Sequence, residues 1–351
     1  MIQLSINLLI KIILILLAFC LLLIIYLISY SVLEKRRFLN KKKYIKKTKN
    51  DWYRYLLGDG SFNKVLIPKN NTEIEAVEEI LISYIKGLSN DFIQVKIDQF
   101  NKYYLHSHYR RNLKSRSKSK RLKALNKIFD FRISELVIEC EKMEKYRLSK
   151  EEKFQILKIK SVLQKDEFFE KFIFYRNIFT EFEYKQIFVN LNEEVLVQLL
   201  LKIDWLKENA QYALLETIAI KRDLSFMEGL ENLLDSDNLE IRLRVLKSLE
   251  KIGVVNKLER FIPFVFSTFW EERLMVTKLF SHVPLDHTYK YLKILLEDSN
   301  WNVRVQAANT IVMDQSGIER LREFIITSTD QYAIDMAKEV LIRRLDEYEY
   351  H

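Results

Sequence analysis

Few residues in this chain are of types that do chemistry, and their spacing limits what each can do. Of the five histidines, His106 and His108 form an HSH triplet. On a helix, residues i and i+2 point to different faces, so the pair does not make a two-ligand metal clamp. His282 and His287 flank Pro284, which predicts polar residues of an inter-helix turn. Cys20 and Cys140 stand far apart. That excludes a disulfide framework and any CxxC motif, and it fits a reducing compartment. The six glycines are scattered, densest in LLGDG (Leu56–Gly60), and form neither GxGxxG nor a Walker loop. Spacing alone offers no nucleophile–base pair, so the sequence assigns no catalytic residue, cofactor, metal or small-molecule substrate.

Cations are the chemistry present in quantity. Lys and Arg number 57 against 48 Asp and Glu, a formal net charge of +9. Residues 34–49 carry +8 and residues 102–127 carry +10, which leaves −9 for the rest. The basicity is therefore local, which argues against a uniformly basic nucleic-acid-binding surface. EKRRFLNKKKYIKKTK, Glu34 to Lys49, sets nine basic residues against one acid and reads as a stop-transfer collar. Its Lys35, Arg36, Arg37, Lys41, Lys42 and Lys43 are placed to meet an anionic lipid surface, where each cation contributes on the order of 1 kcal/mol. HYRRNLKSRSKSKRLK, His108 to Lys123, alternates cations with serines between two helical segments. It reads either as a solvated, mobile loop or as a phosphate- or lipid-binding loop using Arg110, Arg111, Arg116 and Arg121.

Helices must position these groups. Gly and Pro total nine in 351 residues, too few for an all-β fold, so an all-α chain is predicted. IILILLAFCLLLIIYLISYSVL, Ile12 to Leu33, is 22 uncharged and mostly apolar positions. As a helix rising about 1.5 Å per residue it covers a hydrocarbon core of roughly 30 Å. A signal peptide has a shorter apolar region and a more basic start. LAFC resembles a lipoprotein box, yet Phe19 is large and apolar residues continue past Cys20. The charge bias across this segment puts the N-terminus outside and the C-terminal part in the cytoplasm.

The C-terminal part repeats. LEIRLRVLKSL (Leu239–Leu249), WEERLMVTKLF (Trp270–Phe280) and WNVRVQAANTI (Trp301–Ile311) align at steps of 31. Arg242, Arg273 and Arg304 share one column, and Val245, Val276 and Ala307 another. A second helix is predicted before each, from the columns Leu230, Phe261, Leu292 and Leu234, Val265, Leu296. Ser236, Ser267 and Asp298 fall between the two, each able to accept from the amides that open the following helix. Helical pairs of this period cannot bury both faces alone, so they are expected to stack as a solenoid. AQYALLETIA (Ala210–Ala219) and YAIDMAKEVL (Tyr332–Leu341) extend the series. Upstream, TEIEAVEEILISYIKG (Thr72–Gly87) reads as a capped amphipathic helix, RLKALNKI and ISELVIEC as a divergent pair, and the aromatic run from Phe168 to Tyr184 as core.

An acid or Ser at the turn, then V-R or I-R, then small or apolar residues, clearest in DSNWNVRVQAA and DSDNLEIRLRVLKSL, resembles the HEAT repeat, especially its short bacterial form. The resemblance implies a ladder in which Arg242, Arg273 and Arg304 reach turn acids such as Asp298 and turn carbonyls. HEAT-like hydroxylases hold iron with paired His-Glu motifs, which this chain lacks. The expected architecture is one transmembrane helix (1–33), a basic juxtamembrane segment (34–72), divergent helical repeats (73–205) and HEAT repeats (206–351). Composition rich in Ile, Lys and Asn suggests an AT-rich bacterium. Single-span HEAT proteins of such bacteria resemble accessory subunits of membrane glycosyltransferases that make surface polysaccharide. The implied function is a membrane-tethered scaffold for a protein partner, with a HEAT-like lyase or DNA glycosylase, or an anionic-lipid-organising protein, as alternatives.

Overall fold

The structure, a computed structural model, describes residues 6–349 except 59, 89–90, 146, 165–167, 170–171 and 173–177. The described residues are all-helical, with seventeen α-helices, short 3-10 turns, one π turn and no strand. They form two compact units, Met1–Leu148 and Ser149–His351.

In the first unit α1 runs unbroken from Ile6 to Leu57. No Gly or Pro interrupts it, and its two ends have different environments. From Lys11 to Leu39 every residue is exposed, and the helix is long and apolar enough to cross a membrane. Beyond residue 40 the stripe Thr48, Trp52, Tyr55 and Leu56 is buried, the i, i+4, i+7, i+8 spacing of one helix face. Here α1 packs on α2 (Asn71–Gly87) and α3 (Asp91–Phe100). Trp52 meets the Phe100 ring edge-on at 4.9 Å, the Tyr55 hydroxyl donates to the Lys96 carbonyl at 3.1 Å, and the Tyr44 hydroxyl donates to Leu66 O at 3.0 Å. The expected boundaries at 33/34 and 72/73 are therefore not structural breaks. The basic collar is helix, and its far end is core.

A π turn, Asn101–Leu105, joins α3 to α4 (His106–Leu113), which packs against α5 (Lys118–Asp130) and α6 (Val137–Met143). Tyr109 of α4 donates to Glu78 of α2 at 3.0 Å, and Lys127 of α5 stands 3.9 Å from the same carboxylate. Burial raises both the Glu78 carboxyl and the Tyr109 hydroxyl above their ordinary pKa values. Asn70 caps α2, accepting from Glu73 N at 3.0 Å.

The second unit contains α7 (Lys150–Leu163), α8 (Glu181–Phe188), α9 (Glu193–Leu201), α10 (Glu208–Lys221), α11 (Met227–Asn232), α12 (Leu239–Ile252), α13 (Trp270–Leu279), α14 (Leu285–Leu296), α15 (Trp301–Val312), α16 (Gly317–Thr327) and α17 (Gln331–Glu349). α8, α10, α12, α13, α15 and α17 each pack on the next, and one apolar core runs from Phe154 to Leu341. That core crosses residue 205 without a break, so the division expected at 205/206 is not where this unit begins. Of the first-helix columns, Leu230, Phe261 and Leu292, and Leu234, Val265 and Leu296, are buried, while in the column of Leu233, Phe264 and Leu295 the first is half-buried. Yet residues 258–266 form two 3-10 turns rather than an α-helix. Pro263 brings no amide hydrogen, and Phe and Val around it favour helix weakly. Of the aromatic run, Phe168, Phe172, Phe179 and Tyr184 are buried, Phe182 is 70% exposed, and residues 170–171 and 173–177 lie outside the described residues.

Two glycines should respond oppositely to alanine. A Cβ on Gly317, at the start of α16, would stand 1.8 Å from the Ile311 carbonyl oxygen. Gly317→Ala should therefore cost about 1–3 kcal/mol or more, because backbone has to move. Gly87, in the last turn of α2, has nothing within 4 Å, so Gly87→Ala should be neutral or stabilise by up to about 1 kcal/mol. Thermal unfolding of the two variants checks the pair, and a stable Gly317→Ala would mean that the close approach is not real.

Candidate functional site

Two arrangements of charged side chains stand out. The first is the arginine column. Each Nη1 donates to the carbonyl six residues earlier at 2.7 Å: Arg242 to Ser236, Arg273 to Ser267, Arg304 to Asp298. The remaining nitrogens reach forward. Arg242 Nε meets Glu272 at 2.6 Å, and Arg273 forms a fork onto Asp298 through Nε at 2.5 Å and Nη2 at 2.8 Å. The bond to Asp298 raises the Arg273 pKa above its ordinary value. Arg304 has no acid in front of it: its Nε is buried without a partner among the described residues, and its guanidinium lies 5.7 Å from the Tyr332 ring.

Sequence reasoning missed Glu272, which is 3% exposed and also accepts from the Ser267 hydroxyl. A signal existed, because Glu272 occupies the column of Ile241 and Val303, both buried. A lone acid in an apolar column requires a cation. The turn side chains also act one step earlier than expected. Ser236, Ser267 and Asp298 accept from the amides of Asn238, Phe269 and Asn300, and Asn238 and Asn300 then cap α12 and α15 themselves. Phe269 supplies no side-chain cap to α13. A further network links three neighbouring helices. Arg244 pairs with Glu181 and Glu240 at 2.6 Å over the Tyr212 ring, and Glu216 is bridged by Lys185 and Lys247.

The second arrangement is the basic stretch, which is not the loop its composition suggested. Only residues 114–117 lie outside α4 and α5. Arg121 closes this corner by donating Nη1 to the Ser115 carbonyl at 2.9 Å and the Arg116 carbonyl at 3.0 Å. Arg110 pairs through Nε with Glu139 of α6 at 3.0 Å. The corner and α6 enclose a cavity of about 680 Å3. Its lining holds Arg110, Lys114, Arg116, Arg121, Lys142 and Arg147, the acid Glu139, and the apolar Leu113, Met143 and Leu148. Arg110, Arg116 and Arg121 were singled out from sequence and meet here. Arg111 does not line the cavity; its charge, after burial, helps lower the His108 pKa. Lys142 and Arg147 were missed, since EKMEKYRL is mixed in charge and only the fold brings it to the corner. The collar cations lie on α1: Lys35, Arg36, Arg37, Lys42 and Lys43 are exposed, and Lys41 pairs with Glu79. Among the described residues no group of three or more His, Cys, Asp or Glu could hold a metal.

No family profile matches the chain, and no curated protein matches it. A solved structure described as an engineered protein is similar at 15% identity, over 79% of this chain and 82% of its own, with a TM-score of 0.32.

Proposed function

We propose that this chain is a membrane-tethered scaffold: α1 crosses the cytoplasmic membrane with its N-terminus outside, and the second unit is a HEAT-like solenoid of period about 31 that holds a protein partner on the inner face. The observation that carries the tether is the double character of α1, a bare apolar half continued without a joint into the core of the first unit. A removable leader would not be built into the domain it delivers. The solenoid reading is supported by the arginine-to-carbonyl bond recurring at steps of 31 and by the packing of α8, α10, α12, α13, α15 and α17 each on the next. Exposed side chains of this unit, among them Trp301 on α15, Ile326 on α16 and Tyr332 on α17, offer contact area to a partner of the membrane-complex class, such as a surface-polysaccharide glycosyltransferase. The collar cations would lie against anionic lipid.

Protease added to intact protoplasts should spare residues beyond 50, whereas digestion from outside would reverse the topology. Purification of the full chain in mild detergent should bring a stoichiometric integral-membrane protein with it. Recovery of the chain alone, together with rescue of a deletion strain by a chain lacking the apolar half of α1, would overturn the scaffold reading.

A further inference from the structure

We infer that the cavity between the α4–α5 corner and α6 is a binding site for an organic anion carrying two or more phosphate groups. The inference stands on the first unit alone and survives even if the scaffold reading fails. Six cations and one acid face a single cavity of about 680 Å3, a size typical of small-molecule sites. Like charges gathered in one place repel, and the chain does little to relieve them. Among the described residues Lys114, Arg116, Lys142 and Arg147 have no carboxylate within ion-pair distance. An arrangement of this kind is stabilised by an anion from outside.

The two best-held cations are also the best prepared for phosphate. Arg110 spends only Nε on Glu139, which leaves its two terminal nitrogens for a fork onto phosphate oxygens. Arg121 is fixed by the turn carbonyls it holds, so little side-chain freedom is lost when it meets a ligand. One phosphate would leave most of the excess charge unanswered. Two or more match it better, and Leu113 and Met143 give the carbon part of the ligand an apolar wall. The shared chemistry is a bisphosphate or diphosphate, free in solution or borne on a lipid.

The test is calorimetry of the full chain in a neutral detergent, with inorganic pyrophosphate as one titrant and micelles of the same detergent carrying cardiolipin as the other. Arg147→Ser and Lys142→Ser change exposed side chains and should leave the fold intact, as circular dichroism would confirm. Each should weaken binding by about tenfold, the equivalent of roughly 1.4 kcal/mol. Lys123→Ser removes an exposed charge of the same basic run outside the cavity and should change binding by less than about twofold at physiological salt, where exposed charges are screened. Cavity-dependent binding of pyrophosphate assigns a soluble ligand; cavity-dependent binding of cardiolipin alone assigns a lipid-borne one. Binding of neither titrant, or equal weakening by Lys123→Ser, overturns the inference.

Discussion

A chain begun at Asn40 is expected to fold, and one begun at residue 73 is expected to aggregate. The difference lies in the far end of α1. Starting at residue 73 removes Thr48, Trp52, Tyr55 and Leu56, and with them Leu66, all buried in the first unit. The faces of α2 and α3 that packed on them would be left as an exposed apolar patch. Trp52→Ala in the longer chain isolates the largest part of this effect. Trp52 is fully buried and touches Phe100 and Tyr55 edge-on, so truncation should cost about 3–5 kcal/mol. Urea titration followed by circular dichroism reads both results. A well-behaved chain from residue 73, or a loss under about 1 kcal/mol for Trp52→Ala, would show that α1 is an appendage rather than a core element.

The second large effect is expected at Asp298. Its carboxylate, 6% exposed, receives two bonds from Arg273, itself 14% exposed, and one from the Asn300 amide. Asp298→Ala leaves a guanidinium largely buried without its counter-charge, which costs about 3–5 kcal/mol. Such a pair is not thereby a source of great stability, because both charges were taken from water to make it. The large number belongs to breaking one side only. Glu272→Ala should behave alike, since Glu272 answers Arg242. Arg304→Ala should cost only about 0.5–1.5 kcal/mol, because that arginine bonds turn carbonyls and no acid. Equal losses at Asp298 and Arg304 would mean that the carboxylates add nothing to the column.

Helicity was legible because Gly and Pro are so few, and the apolar columns were legible because period 31 aligns them. The arginine column was legible too, since a cation recurring among apolar neighbours needs a repeated acceptor. Of its acids the sequence reading named Asp298 and missed Glu272, for the two rungs take them from different places: Glu272 lies inside the following helix and Asp298 in a turn. No single column predicts both. The basic stretch misled because alternating Lys and Ser carries no helical apolar stripe. Its order comes from the Arg121 bonds to turn carbonyls and from packing of Leu113, Ala124 and Leu125. The cavity was hidden for a simpler reason, that Arg147 and Lys142 reach it only through the placement of α6.

A helix with no joint transmits rotation. Between Leu33 and Thr48, where burial begins, α1 forms a rigid arm of about 20 Å at a rise of about 1.5 Å per residue. If the apolar end leaned by about 20°, a common tilt for a membrane helix, the far end of that arm would swing by about 7 Å. The first unit is fused to that end through Trp52 and Leu56, so it would swing as well. Were α1 to span a bilayer, its lean would become a mechanical input to the position of the basic cavity.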